Sequence, residues 1–228
     1  MNNIELVIFD CDGVVIDSEI LSASVLVDML ALLGVVINST YVQEHFLGCS
    51  FTTVVRHIDE VFSIQLPSDF EVRYRQTLIQ QFDKQLKATD GIQQILTQLS
   101  VPYCIATSSS PSRTKKALNI VKLHEQFTPN IFTSEEVEQG KPAPDLFLHA
   151  AKKMAVEAKN CLVIEDSQAG VQAALNAQMQ VLHYSGGQHL KNNINHVQQH
   201  YPHVSVLAHW QAFFVAFPLL KKQKASNE

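Results

Sequence analysis

The sequence predicts an α/β fold in which a parallel sheet is flanked by helices and interrupted by an all-helical insertion. Residues 4–9 form a short apolar run rich in Val and Ile, as in a buried strand. Residues 17–88 lack convincing strands and space their apolar residues by three and four. From residue 89 onward, strand and helix patterns alternate, which is typical of a parallel sheet covered by helices.

The first predicted strand leads into two carboxylates, Asp10 and Asp12, followed by Gly13. Side chains two residues apart on an extended chain point the same way, so both can face the crevice at the strand's carboxyl end. Close carboxylates need a cation or a shared proton, so the pair predicts Mg²⁺ binding or acid/base chemistry. A calcium loop is the alternative interpretation, but Val14 stands where such a loop needs an oxygen ligand.

The insertion is expected to form a small helical bundle, because its apolar residues recur with helical spacing. Helices are predicted to begin near Asn38-Ser39-Thr40 and near Pro67-Ser68. They are predicted to end near Gly34 and Gly48.

The rest of the chain supplies the other predicted elements. In order they are a strand over 102–107, a helix from Pro111, a strand over 130–132, a helix over 143–154, a strand over 161–164, a helix from Ser167 and a strand over 180–184. Thr107 and Asp166 each follow an apolar run, so we expect them at the same rim of the sheet as Asp10.

Composition and charge narrow the class of protein. The chain has 228 residues, 46% hydrophobic and 17% charged, which is ordinary for one or two globular domains. A net charge of −5 gives no basic surface for nucleic acid. No apolar stretch approaches the ~18 residues that span a bilayer, so we expect no membrane partner. The four scattered cysteines and the lack of a leader pattern after Met1 predict free thiols and a cytoplasmic location.

Four stretches resemble, in order, the four motifs of the haloacid dehalogenase-like hydrolase superfamily. They are residues 4–17, 105–109, 140–145 and 163–170. The resemblance implies a Rossmann-like core of residues 1–16 and 89–228, with a helical cap at 17–88 inserted after the first strand. It also implies a phosphoric monoester hydrolase with Mg²⁺ as cofactor and a small phosphorylated molecule as substrate.

The chemistry of phosphate esters suggests roles for the first two carboxylates. Asp10 can act as a nucleophile that needs no activating base and can form an aspartyl-phosphate. Asp12 can protonate the leaving oxygen and later deprotonate the hydrolytic water. Asp166 is expected to complete an oxygen-only metal shell with Asp10 and the backbone carbonyl of Asp12. Glu165 is expected to hold a metal-bound water or to lie behind the direct ligands.

Three further residues are candidates for binding the phosphoryl group. Lys141 lies between Gly140 and Pro142 in a stretch that must be a loop, where a fixed lysine can neutralise Asp10 and phosphoryl oxygens. Thr107 is expected to donate its hydroxyl to a phosphate oxygen, assisted by the backbone N–H of Ser108. Ser109 and Ser110 can equally cap the helix that begins at Pro111, a role that we favour for Ser110.

Within the superfamily, the first motif and its continuation to Glu19 resemble the branch of β-phosphoglucomutases and sugar phosphatases. The positions that carry a cap histidine and a cap arginine in the mutase hold Ser22 and Phe51 here. We therefore expect a phosphatase of a sugar phosphate or sugar-acid phosphate. A phosphosugar mutase is the alternative within enzymes, and a non-catalytic sensor of phosphorylated metabolites is the alternative outside them.

Substrate specificity is expected to come from the cap, because the four motifs hold only the phosphoryl group. The candidate cap residues are Glu19, Gly48, Cys49, Ser50, Arg73 and Arg75. Arg75 is the preferred partner for a substrate carboxylate and Arg73 the second, because arginine offers two parallel hydrogen bonds. The alternative is that both arginines are solvated charges on a helix surface.

We expect neither the histidines near the end of the chain nor Cys11 to take part in the chemistry. Six of the ten histidines fall between His183 and His209 at spacings that match no compact metal site, so we expect them on the surface. Cys11 lies between the two aspartates but should point toward the core as a packed thiol. The expected assembly is a monomer or a weak homodimer.

Overall fold

The structure, a computed structural model, describes residues 3–46, 51–190 and 196–223. Within these ranges six parallel strands form one sheet in the order β3-β2-β1-β4-β5-β6. The strands are β1 (Leu6–Phe9), β2 (Tyr103–Thr107), β3 (Ile131–Thr133), β4 (Cys161–Glu165), β5 (Gln180–Tyr184) and β6 (Ser205–Leu207). Because the strands are parallel, all their carboxyl ends lie at one edge of the sheet.

Eleven α-helices connect and surround the strands in the described part of the chain. They are α1 (Glu19–Ala31), α2 (Ser39–His45), α3 (Phe51–Phe62), α4 (Phe70–Gln85), α5 (Ile92–Gln98), α6 (Pro111–Ile120), α7 (His124–Phe127), α8 (Asp145–Lys153), α9 (Gln168–Asn176), α10 (His196–His200) and α11 (Phe213–Ala216). The first four lie in the predicted insertion, and the others belong to the alternating strand and helix pattern.

The sheet is buried on both faces. Val7 and Phe9 of the central strand β1 pack on one face in a cluster that includes Trp210 and Phe213. Leu6 and Ile8 alternate to the other face, where the cluster includes Phe147 of α8. Burial on both faces explains why β1 reads as a nearly continuous apolar run.

The four helices of the insertion have a hydrophobic cluster of their own. Leu30, Ile58 and Phe70, all buried, bring together α1, α3 and α4. The chain enters and leaves this bundle side by side, since Asp17 N donates to Lys87 O at 3.0 Å and Thr89 N donates to Val15 O at 3.0 Å. The division into a core and a cap at residues 17 and 88 stays a prediction, which this paired crossing supports.

The predicted fold class is confirmed, with small shifts at element ends. The strand predicted over 180–184 has those limits, and the strand predicted over 130–132 is shifted by one residue. The Asn38 side chain caps α2 by accepting from Tyr41 N at 2.9 Å. The helix predicted near Pro67-Ser68 begins at Phe70. The predicted stop at Gly48 lies outside the described residues.

The described structure contains one strand that the sequence pattern did not predict. The edge strand β6 pairs with β5 and lies beyond the region that the sequence pattern covered. Among the described residues, no helix has both the length and the apolar character needed to cross a membrane.

Candidate active site

Three neighbouring strands deliver polar residues to one edge of the sheet. Asp10 follows β1, Thr107 ends β2, and Glu165 ends β4 immediately before Asp166. These residues line a cavity of about 300 Å³ whose opposite wall comes from the helical insertion, including Leu26 of α1 and Leu78 of α4. The structure thus brings together the predicted core residues beneath the predicted cap.

Lys141 is the cation at the bottom of this cavity. Its ammonium group donates to Asp10 Oδ1 at 2.6 Å and to Glu165 Oε2 at 3.1 Å, and its side chain is 4% exposed. The ammonium also lies 4.8 Å from the centre of the Phe147 ring. Although burial lowers the pKa of Lys141, the carboxylates of Asp10 and Glu165 raise it more, so the side chain stays charged.

Three acidic side chains lie close together beside Lys141. Asp10, Glu165 and Asp166 are buried, and each has a carboxylate oxygen within 4.8 Å of the others. Burial, followed by repulsion from Glu165, raises the pKa of Asp10 well above its ordinary value despite Lys141. Burial raises the pKa of Glu165 as well. An oxygen-only donor set of this kind could hold a hard cation such as Mg²⁺, which prefers carboxylate oxygens.

Asp12 lies in a separate network of hydrogen bonds. Its Oδ1 accepts from Ser18 Oγ at 2.5 Å, and its Oδ2 accepts from Ser109 Oγ and from Arg113 Nη1, both at 2.7 Å. Burial alone would raise the pKa of Asp12, but the charge of Arg113 and these hydrogen bonds lower it below its ordinary value. Asp12 is therefore ionised in this arrangement.

Glu165 is fixed by the start of the next helix. Its Oε1 accepts from Ser167 Oγ at 2.5 Å, and Ser167 Oγ in turn accepts from Gly170 N at 3.1 Å as the cap of α9. A Cβ atom at Gly170 would lie 2.0 Å from Glu165 Oε1, so only glycine leaves room for this carboxylate. Ser167 therefore serves both as the helix cap that the sequence predicts and as a support for Glu165.

Asp166 contacts a histidine that the sequence analysis placed on the surface. His189 Nε2 lies 2.9 Å from Asp166 Oδ2, and the imidazole is 1% exposed. His183 is also buried, and its Nε2 lies 3.1 Å from the backbone oxygen of Asp166. The expectation of surface histidines is therefore wrong for these two, because His183 lies within β5 beside β4 and the loop after β5 brings His189 to Asp166.

Gly13 makes this close approach possible. It adopts a positive φ of 79°, and a Cβ atom there would lie 1.9 Å from Asp166 Oδ2 and 2.8 Å from His189 Cε1. Any larger residue would have to displace the carboxylate and the imidazole. Cys11, next to the two aspartates, is buried in the core cluster as predicted.

The residues after β2 divide between the cavity and the helix. Thr107 is buried, lines the cavity and accepts from Ser109 N at 3.1 Å through Oγ1. Ser108 is exposed and also lines the cavity. Ser110 occupies the position before α6 without a capping hydrogen bond from its side chain, whereas Ser109 binds Asp12. Ser109 is thus part of the site.

The cap residues predicted to set specificity divide into three groups. Glu19 and Arg75 line the cavity, and burial followed by the charge of Asp12 raises the pKa of Glu19 to about 7. Arg73 is exposed, pairs with Asp69 at 3.2 Å and is not among the lining residues. The candidates Gly48, Cys49 and Ser50 lie outside the described residues.

Sequence reasoning missed Arg113 and His189. Arg113 lies four residues before the buried Ala117 on α6, so helical periodicity places it on the inward face and could have identified it. The sequence feature that could have identified His189 is the preceding pair Gly186-Gly187. In the structure, a Cβ atom at Gly187 would lie 2.7 Å from the imidazole. Adjacent glycines before a histidine indicate a tight approach rather than a solvated loop.

Comparison with known proteins gives consistent matches to this fold and site. The sequence profile described as haloacid dehalogenase-like hydrolase matches residues 7–184. A 6-phosphogluconate phosphatase from Escherichia coli is 28% identical over 93% of this chain and 97% of its own length.

Solved structures agree with these sequence matches. A conserved haloacid dehalogenase-like protein from Agrobacterium tumefaciens has a TM-score of 0.84 and 29% identity, covering 95% of this chain and 99% of that chain. A hydrolase of the same family from Deinococcus radiodurans, with bound phosphate and sodium, has a TM-score of 0.79 and 25% identity, covering 98% and 100%. The order of the motifs, the parallel sheet and these matches agree, and the chain belongs to the haloacid dehalogenase-like hydrolases.

Proposed function

We propose that the protein is a Mg²⁺-dependent phosphatase that hydrolyses a small phosphorylated sugar or sugar acid through an aspartyl-phosphate on Asp10. The observation that carries this proposal is the buried group of Asp10, Lys141, Glu165 and Asp166 at the carboxyl end of the sheet. The matched phosphatase from Escherichia coli supports the activity class, a phosphoric monoester hydrolase, and the substrate class.

In the first half-reaction, an Asp10 carboxylate oxygen attacks phosphorus and the bond from phosphorus to the leaving oxygen breaks. Asp12 supplies a proton to that oxygen, so the product leaves as a neutral alcohol. Lys141 stabilises the negative charge of the phosphoryl oxygens, and Thr107 Oγ1 and Ser108 N donate hydrogen bonds to them. Asp12 must first acquire the proton that its hydrogen-bond network disfavours in this structure.

In the second half-reaction, water attacks phosphorus of the aspartyl-phosphate and the bond to Asp10 breaks. Asp12 takes a proton from that water, which releases inorganic phosphate and regenerates the Asp10 carboxylate. The cap excludes bulk water while the first step occurs, so that the Asp10 carboxylate rather than water attacks phosphorus and the covalent intermediate forms.

Asp10, Asp166 and the backbone carbonyl of Asp12 are the residues that would hold Mg²⁺, and Glu165 would orient a bound water. When bound, the metal supplies positive charge that stabilises the phosphoryl oxygens and lets the anionic Asp10 carboxylate approach phosphorus. His189 would hold Asp166 in place through the 2.9 Å contact.

The test is phosphate release from purified protein with p-nitrophenyl phosphate and with a panel of sugar and sugar-acid phosphates. We expect turnover with Mg²⁺, loss of turnover after EDTA, and recovery on adding Mg²⁺. Asp166→Ala should raise the Mg²⁺ concentration needed for half-maximal rate. Retained activity after EDTA would contradict the metal assignment. Conversion of one phosphosugar isomer to another without phosphate release would instead identify a mutase.

A further inference from the structure

Arg113 is the least exposed arginine in the cavity lining, and nothing in the four sequence motifs predicts it. It lies in the first turns of α6, and its side chain is only 15% exposed. The guanidinium carbon lies 5.3 Å from the centre of the Phe82 ring on α4, so the group stands where the core meets the cap. A part-buried arginine at such a boundary is stabilised by an anion that compensates its desolvation.

Only part of this guanidinium is engaged. Nη1 donates to Asp12 Oδ2 at 2.7 Å and also contacts Ser109 Oγ. Nε and Nη2 make no hydrogen bond to any residue within 3–46, 51–190 or 196–223. An arginine has five N–H donors in a planar fork suited to a carboxylate, so unused donors remain beside the cavity.

Lys141 and the part-buried Arg113, both in the described lining of the cavity, serve different parts of a substrate. Lys141 binds Asp10 and Glu165, so it stands where the phosphoryl group is transferred. Arg113 binds Asp12, the proposed proton donor, which must lie next to the leaving oxygen. Arg113 therefore stands next to the leaving alcohol rather than next to the phosphoryl group.

Arg75 is the other arginine that lines the cavity, and its guanidinium is committed elsewhere. Its Nε and Nη2 both donate to Glu71 Oε1, at 2.9 Å and 2.6 Å, one turn back on the same helix. Its side chain is 47% exposed, so water screens its charge. Arg113 is therefore better placed than Arg75, which the sequence analysis preferred.

We propose that Arg113 binds a carboxylate on the leaving alcohol, so that the enzyme favours phosphomonoesters of hydroxy acids over those of neutral polyols. This inference rests on the proposed phosphatase function and adds the residue that selects the substrate. On binding, Nε and Nη2 pair with the substrate carboxylate, which shares the guanidinium with Asp12. No bond is made or broken in this recognition step.

The test compares two substrates that differ in one group, 6-phosphogluconate with a carboxylate and sorbitol 6-phosphate with a hydroxymethyl group. kcat/KM is measured for both substrates with wild type, Arg113→Met, Arg113→Lys and Arg75→Ala. We expect wild type to favour the acid by about 10-fold or more, the gain from a charge-assisted hydrogen bond. Arg113→Met should lose that preference, Arg113→Lys should keep part of it, and Arg75→Ala should keep most of it.

Taking the ratio of the two substrates separates recognition from general damage, because a disturbed Asp12 slows both substrates alike. Equal losses for the two substrates in Arg113→Met, or loss of the preference in Arg75→Ala alone, would overturn the inference. A wild type that hydrolyses both substrates equally would also overturn it and leave the phosphatase function intact. Absence of phosphate release from any ester would instead reject the proposed function.

Binding of the dephosphorylated products gives a second readout that does not need turnover. Gluconate and sorbitol are titrated calorimetrically into each variant in the presence of Mg²⁺ and inorganic phosphate. We expect gluconate to bind wild type at least about 10-fold more tightly than sorbitol, and Arg113→Met to bind the two alike. A gluconate preference retained in folded Arg113→Met, checked by circular dichroism, would refute the role of Arg113.

Discussion

Replacing Lys141 with Met tests how the buried charges of the site are balanced. The ammonium makes two hydrogen bonds, of 2.6 Å to Asp10 and 3.1 Å to Glu165, and its side chain is 4% exposed. Removing one partner of a buried ion pair typically costs about 3–5 kcal/mol, because the remaining charge is uncompensated. We therefore expect Lys141→Met to lower the free energy of unfolding by about that amount at pH 8 in EDTA.

The pH dependence of this loss identifies its cause. The folded-state pKa values of Asp10 and Glu165 are already raised, and without Lys141 they rise further. A carboxyl group whose pKa is raised by folding stabilises the protein at low pH and loses that contribution as pH rises through the folded pKa. The loss in free energy of unfolding caused by Lys141→Met should therefore become smaller as the pH is lowered and the two carboxyl groups are protonated.

The assay is urea unfolding of wild type and variant from pH 8 down to pH 5 in EDTA, which prevents a metal from replacing the ammonium. Lys159→Met is the matched control, since Lys159 also pairs with a glutamate, at 2.7 Å, but on the exposed surface. Its unfolding midpoint should stay close to that of wild type. A Lys141→Met variant as stable as wild type at pH 8, or a loss of stability that does not change with pH, would refute the proposed balance of buried charges.

Two further predictions follow from the same site. Folding raises the pKa of Glu19 from 4.5 to about 7, so the free energy of unfolding of wild type in EDTA should fall relative to that of Glu19→Gln as the pH rises from 4.5 through 7. Urea unfolding of both proteins measures this difference, and a difference that does not change with pH would contradict the raised pKa. Because His189 contacts Asp166 at 2.9 Å, His189→Ala should weaken Mg²⁺ binding about 10-fold or more in calorimetric titration, whereas the exposed control His203→Ala should not. Equal affinities in wild type and His189→Ala would exclude that supporting role.

Much of the fold could be predicted because its signals are local. The central strand β1 is buried on both faces, so it reads as an unbroken apolar run, and the insertion reads as helical because its apolar residues repeat every three or four positions. The edge strand β6 has only three residues, two of them exposed, so it carries neither an apolar run nor a usable alternation. Its position depends on pairing with β5, which local sequence does not encode.

Some residues of the candidate site could likewise be predicted from local sequence, and others could not. Asp10, Asp12, Thr107 and Asp166 lie at the ends of strands or within three residues after them, so the rule that parallel strands end at one edge is enough to group them. Arg113 approaches Asp12 across 101 residues of sequence, and its neighbours Lys115 and Lys116 make its helix look like a solvated surface. His189 reaches Asp166 because the loop after β5 folds back, and the local signal for this approach is limited to the adjacent Gly186 and Gly187.

The central claim is that Asp10 carries the phosphoryl group during turnover. Wild type and Asp10→Asn are incubated with Mg²⁺ and p-nitrophenyl phosphate, quenched in acid, and examined by intact mass and peptide mapping. We predict one phosphoryl group on wild type, located at Asp10 and labile to hydroxylamine, and neither that adduct nor turnover in a folded Asp10→Asn. Turnover by Asp10→Asn at the wild-type rate, or an adduct located at another residue, would contradict the account.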